Sequence, residues 1–216
     1  MKIKFFVLIC FFSLSYTHEI WIDLDNFYPT KQQKVKIYAC SGHSFPKSDE
    51  IISEKFFDGF KVTNQKEEFS IKPKLEKQTN TLLAEFKTKE EGSFVAYFFI
   101  RKPQSKPLYY AKAIFAVEDS TSEVSSTIIN KETLEIVLSK NPSQIKLKDK
   151  LEIKTFFEEK PISTTLYIQP ENKKPFYITT NKEGTAYLEI KTPKRYLISS
   201  TYKGFTASLV FFVKEK

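Results

Sequence analysis

The 216-residue chain contains two histidines, His18 and His43. His18 opens the segment His18-Glu19-Ile20-Trp21-Ile22, and His43 sits in Cys40-Ser41-Gly42-His43-Ser44-Phe45-Pro46. Neutral imidazole is the commonest side-chain ligand for nickel, copper and zinc. A free terminal amine beside its own imidazole chelates an ion through two nitrogens, and a second histidine supplies a third. An N,N,N set of this kind suits Cu(II) or Ni(II) in tetragonal geometry. Cys40, three residues before His43, offers a soft sulfur that favours Cu(I) or zinc. Glu19, Asp23 and Asp25 offer oxygen ligands, or partners that orient the rings. The candidate metal ligands are therefore His18, His43 and Cys40.

The amine argument depends on how the chain begins. Lys2 and Lys4 precede an apolar run, Phe5–Leu14, and Ser13, Ser15 and Thr17 then provide small residues. Basic, apolar, small is the order of a secretory signal peptide, and the run is too short to span a bilayer. A signal peptide over residues 1–17 is expected, with export to the periplasm or the exterior. Cleavage fits after Ser15 or after Thr17, and only the second makes His18 the first residue of the mature chain. Cys10 leaves with the leader, so Cys40 is the only mature cysteine and no intramolecular disulfide forms.

The two histidines need elements that bring them together. Twenty-one Phe and eleven Tyr suit pleated, half-buried surfaces. Period-2 alternation recurs along the mature chain. Ile20, Ile22 and Leu24 share one face of Ile20–Leu24, and Val35, Ile37 and Ala39 share one face of Lys34–Cys40. Consecutive antiparallel strands would bring the start of the first near the end of the second. Phe94–Arg101 is apolar on both faces, as a central strand is, and Tyr109–Val117 follows. Residues 119–131 are rich in Ser and Thr without large apolar periodicity, which marks a linker or crossover. Seven short strands then run between 132 and 216, with a turn signal about every 8–12 residues, the rhythm of an immunoglobulin-like sandwich. Ile51–Phe60 carries a weak helical pattern, and Thr180–Thr185 reads as a hairpin loop with Gly184 at its tight position. The expected fold is all-β: two tandem immunoglobulin-like β-sandwich domains after a signal peptide, 18–118 and 132–216.

Several function classes are excluded by the same residues. The net charge of +8 falls to +6 once Lys2 and Lys4 leave. The remaining basic residues are scattered along strands and interleaved with Glu, so nucleic acid is a poor partner. There is no glycine-rich phosphate loop, no Gly-x-Ser-x-Gly elbow and no His-Glu-x-x-His. Adjacent acids such as Glu90-Glu91 and Glu158-Glu159 point to opposite faces of a strand and make poor acid–base pairs. The sequence carries no enzymatic signature.

Short motifs in order along the chain resemble those of an exported bacterial family, the NikM-like proteins, described as periplasmic components of cobalt or nickel uptake systems. They are His18-Glu19-Ile20-Trp21-Ile22, Gly42-His43-Ser44-Phe45-Pro46, Ala111-Lys112-Ala113, Leu134-Glu135-Ile136-Val137 with Asn141-Pro142, Glu159-Lys160-Pro161 and Thr180–Gly184. The resemblance implies an exported two-part β protein that binds Ni(II) or Co(II), with Cu(II) as a further ion, and passes it to an inner-membrane transporter. Two other expectations compete. One is a non-catalytic immunoglobulin-like scaffold or adhesion protein that binds a protein partner by strand addition at an open edge. The other is a copper enzyme built on an N-terminal histidine brace.

Overall fold

The computed structural model of the protein describes residues 18–102, 104–122 and 127–215. The expected leader, its cleavage sites and Cys10 lie outside the described residues, as does part of the expected linker. Sixteen strands are formed among the described residues, with no α-helix.

In the first half these are β1 (Glu19–Leu24), β2 (Lys34–Gly42), β3 (Phe60–Thr63), β4 (Glu68–Ile71), β5 (Lys74–Glu76), β6 (Thr81–Lys87), β7 (Gly92–Ile100) and β8 (Tyr109–Val117). The second half adds β9 (Leu134–Leu138), β10 (Lys150–Phe157), β11 (Lys160–Pro161), β12 (Thr165–Pro170), β13 (Phe176–Thr179), β14 (Thr185–Glu189), β15 (Arg195–Tyr202) and β16 (Phe205–Phe212). They form three sheets. A four-stranded sheet runs β1-β2-β6-β5, and a second runs β11-β10-β14 with β9 also on β10. An eight-stranded sheet runs β13-β12-β15-β16-β8-β7-β3-β4.

The eight-stranded sheet carries a hydrophobic core on each face. On β7, Phe94, Ala96 and Phe98 belong to a core shared with Ile22, Ile37, Leu82 and Ala84 of the first sheet. The alternate residues Val95, Tyr97 and Phe99 belong to a second core with Leu134, Ile136, Ile153 and Leu188. This accounts for the apolar character of both faces of β7, since alternate side chains leave the pleat on opposite sides. Strands with one solvated face keep their alternation: Val35 and Ile37 of β2 are fully buried while Lys34 and Lys36 are exposed.

The two sandwiches are joined by backbone pairing. β16, from the end of the chain, runs parallel to β8, with Thr206 opposite Tyr109 and Val210 opposite Ala113. The sheet therefore continues across the expected boundary between tandem domains. A buried ion pair lies at the same junction: Lys112 Nζ is 2.6 Å from Glu135 Oε1, with the two side chains 1% and 0% exposed. Glu135 also accepts hydrogen bonds from the backbone N–H groups of Ile129, Asn130 and Ile136, which fixes the end of the crossover onto β9.

β1 is tied to the second half as well. Arg195 on β15 donates to Asp23 at 2.6 Å and grips Glu171 through two nitrogens at 2.6 and 3.1 Å. Ser208 Oγ donates to the Ile20 carbonyl at 2.6 Å. Burial pushes the Asp23 carboxyl up despite the adjacent guanidinium. In Glu171 the Arg195 hydrogen bonds outweigh burial and hold the carboxyl down.

Three features differ from the sequence reading. Ile51–Phe60 forms no α-helix; it contains a single 3-10 turn, Glu54–Phe56, with no buried residue. Its apolar residues serve as loop anchors, with Ile52 and Phe60 in the first core. β3, β4 and β5 lie in a Lys- and Glu-rich stretch where polar residues mask the alternation. The Thr180–Thr185 loop is not a hairpin: β13 pairs with β12 and β14 with β10, so the chain here passes from one sheet to the other. Gly184 is nevertheless required, because its φ is +72° and a Cβ would lie 2.5 Å from the Thr155 carbonyl oxygen.

Candidate metal centre

β1 and β2 pair antiparallel from Glu19 opposite Gly42 to Leu24 opposite Ile37. Carried one residue beyond this ladder, the same register brings His18 and His43 face to face. Their ring centroids are 4.1 Å apart with a 60° tilt. After His43 the chain turns, with Lys47 N–H donating to the Ser44 carbonyl at 2.8 Å. It returns beside β2, where the amides of Asp49 and Glu50 both donate to the Ser41 carbonyl, at 3.0 and 3.1 Å. The buried Ser48 hydroxyl accepts from the Ser41 amide at 3.0 Å and locks the return strand in place.

This return places a carboxylate at each ring. Asp49 Oδ2 is 3.4 Å from His43 Nδ1 and accepts the His43 backbone N–H at 3.2 Å. Glu50 Oε2 is 3.1 Å from His18 Nδ1. A carboxylate that accepts the Nδ1–H hydrogen bond favours the tautomer in which Nε2 is the acceptor, an arrangement common to ligating histidines; Glu50 stands so at His18, whereas Asp49 is itself a candidate ligand. Burial works to raise the Asp49 carboxyl, and the amide and ring of His43 together outweigh it and hold it below the ordinary value.

His18, His43 and Asp49 each present a ligand atom within 4.8 Å of the other two. Ligand atoms around one ion bound at about 2.0–2.1 Å lie about 3–4 Å apart, so rotation of these exposed side chains closes the set. The side chains of His18 and His43 are 40% and 38% exposed, which leaves the cluster open to ions from solution. Gly42 makes the cluster sterically feasible: a Cβ there would stand 2.2 Å from Asp49 Oδ1 and 3.0 Å from the Asp49 amide nitrogen. The donor set, two imidazoles and a carboxylate, suits borderline divalent ions such as nickel, cobalt, copper and zinc.

Of the three residues expected as ligands, the structure brings two together. Cys40 does not join them. It lies opposite Trp21 on the β1–β2 ladder, is 3% exposed, and its thiol donates weakly to the Tyr38 carbonyl at 3.8 Å. By strand alternation Cys40 shares a face with Lys34, Lys36 and Tyr38, opposite to the face of Val35, Ile37, Ala39 and His43; it is nonetheless covered there, so the sulfur is buried and apart from the imidazoles. Burial pushes its pKa well up, which leaves a thiol rather than a thiolate. The acids near His18 are also occupied elsewhere. Asp23 binds Arg195, Asp25 accepts the Lys36 amide at 2.9 Å, and Glu19 accepts a hydrogen bond from Ser199. Asp49 and Glu50 take the role instead. Their signal in the sequence is a pair of acids six and seven residues after His43, beyond a proline-containing turn that can fold them back.

The fold and the site together define an all-β protein of joined sandwiches with a solvent-facing histidine–carboxylate cluster at one strand end. The chain belongs to the family described as Domain of unknown function (DUF4198), whose match covers residues 15–204. No curated protein matches it in sequence. Among solved structures, it is similar to the mouse nectin-like molecule 4 ectodomain at 8% identity and a TM-score of 0.27, over 90% of this chain and 63% of that one. It is also similar to a two-domain fibronectin type-III segment of chicken tenascin, at 9% identity and a TM-score of 0.27, over 91% and 99% of the two chains. The Escherichia coli alpha-2-macroglobulin is similar at 11% identity and a TM-score of 0.32, and this chain spans 14% of its length.

Proposed function

We propose that this protein is an exported, non-catalytic binder of a divalent transition metal, held by His18, His43 and Asp49. The observation that carries the reading is the mutual proximity of ligand atoms from His18, His43 and Asp49, with Glu50 beside the His18 ring. The motif resemblance to the NikM-like proteins supports nickel or cobalt as the ion and delivery to an inner-membrane transporter as the role. Cleavage after Thr17 would add the His18 amine to the set and shift its preference toward Cu(II) or Ni(II).

The test is native mass spectrometry of the secreted protein in a mixture of Ni(II), Co(II), Cu(II) and Zn(II), followed by calorimetric titration with the preferred ion. One ion per chain is expected, with at least tenfold weaker binding in His43→Ala and in His18→Ala. The absence of a bound ion, or an affinity indifferent to both histidines, overturns the reading.

A further inference from the structure

The second sandwich has an open side. Among the described residues, β13 is the terminal strand of the eight-stranded sheet and pairs only with β12. Among the same residues, β14 ends the facing sheet and pairs only with β10. Between these two edges lies a groove of about 470 Å³, walled by Phe176 and Ile178 from β13 and by Tyr187 and Leu188 from β14. This volume falls within the range of specific binding pockets, about 300–1,000 Å³. Phe176, Tyr177 and Tyr187 are 40%, 67% and 61% exposed. β13 reads Phe-Tyr-Ile-Thr, with no charge on it. Natural edge strands are normally blunted by charges, proline, bulges, shortness or a covering element; here lysine and proline lie only before the four residues of β13, whose own apolar edge is a template for another strand.

The rim supplies the second half of the argument. Lys173 and Lys174 precede β13, separated from it by Pro175, and Lys191 follows β14 after Ile190. Lys191 lies 3.6 Å from Glu189, whereas neither Lys173 nor Lys174 has a carboxylate partner among the described residues. A lipid tail would fill the apolar floor but would leave the free main-chain groups of the strand edge unused. An added strand meets both needs.

We propose that this groove docks an extended segment of another protein. The segment adds to the free edge of β13, puts apolar side chains at alternate positions into the groove, and carries acidic residues that meet Lys173 and Lys174. Alternation follows from the pleat, because every second side chain of an added strand faces the groove floor. The site is remote in sequence and in sheet from the histidine cluster, and it stands without the metal reading.

The probe is a fluorescein-labelled eight-residue peptide that alternates Val and Thr and ends in two glutamates, titrated with the full mature chain and read by fluorescence anisotropy. Saturable binding is expected, weakening as salt is raised, and at least tenfold weaker when the glutamates are replaced by lysines. Methylation of alternate backbone nitrogens should abolish it, since that removes the strand-pairing donors. The double variant K173E/K174E should reverse the charge preference, which excludes simple misfolding as the cause. His43→Ala should change nothing, so a failure of the metal reading is distinct from a failure here. Binding blind to charge or to backbone methylation overturns the proposal. So does saturable binding of dodecanoate without peptide binding, or a concentration-dependent dimer that K173E/K174E abolishes, because either assigns the groove another occupant.

Discussion

Lys112 and Glu135 meet 2.6 Å apart at the seam between the two sandwiches, with almost none of either side chain in contact with solvent. They belong to Ala111-Lys112-Ala113 and Leu134-Glu135-Ile136-Val137, two motifs separated by the whole crossover. Desolvating two charges is expensive, and the pair is tolerated because the remaining carboxylate lone pairs accept three backbone amides. The ion pair and the three amides together tie the end of the crossover to β8 and β9.

Removing one partner of this pair leaves a buried, uncompensated charge. Lys112→Met is expected to cost about 3–5 kcal/mol of folding stability. Lys112→Met combined with Glu135→Gln should recover part of that loss, because no buried charge remains; the amide oxygen serves the Ile129 and Asn130 donors, while the Ile136 donor loses its acceptor, so the recovery is incomplete. Urea unfolding of the two variants measures both effects. A Lys112→Met protein as stable as the parent would refute the account.

Gly42 offers a test of the cluster that deletes no ligand. In Gly42→Ala the new methyl group occupies the place of the Asp49 carboxylate. Asp49 must swing away, and both histidines remain. Metal affinity is expected to fall at least tenfold, while the circular-dichroism spectrum stays that of a β protein. Equal affinity in Gly42→Ala and parent would remove Asp49 from the ligand set.

Cys40 should be silent in metal binding and in thiol chemistry. Its sulfur is buried and its thiol pKa is raised by that burial. A thiol-reactive dye is expected to label the native protein far more slowly than the unfolded one. Cys40→Ala should leave metal affinity within about twofold of the parent, with a modest loss of stability from the small cavity.

Glu19 provides a pH-dependent prediction. Burial pushes its carboxyl above the ordinary value, partly offset by a hydrogen bond from Ser199. The folded state therefore holds the proton more tightly than the unfolded state. Stability from this group is fully present below the ordinary carboxylate pKa, about 4.3, and is lost as pH rises through the elevated folded value. Glu19→Gln keeps the hydrogen-bonding oxygen and removes the charge, so it should raise Tm at pH 7.5 and change it little at pH 4. An equal effect at both pH values would show that ionisation of Glu19 has no part in stability.

Much of the fold is legible in the residues themselves. Alternation in Lys34–Cys40 and the doubly apolar Phe94–Arg101 are local properties of a strand, and each matches its strand in the structure. The scarcity of histidine alone singles out His18 and His43 as a pair. Short polar strands such as Glu68–Ile71 were not legible, because their residues are only half-buried and their pattern is weak.

The sequence by itself thus determined the longer alternating and doubly apolar strands and singled out His18 and His43, because both depend on a few neighbouring residues. Only the tertiary structure decided that β16 pairs in parallel with β8, that Lys112 finds Glu135, and that Asp49 and Glu50 rather than Asp23 or Glu19 stand beside the imidazoles. It also turned Cys40 away from them. Each of these depends on register and on contacts between distant segments. A one-residue change of register exchanges the two faces of a strand, so no local pattern specifies which partners meet.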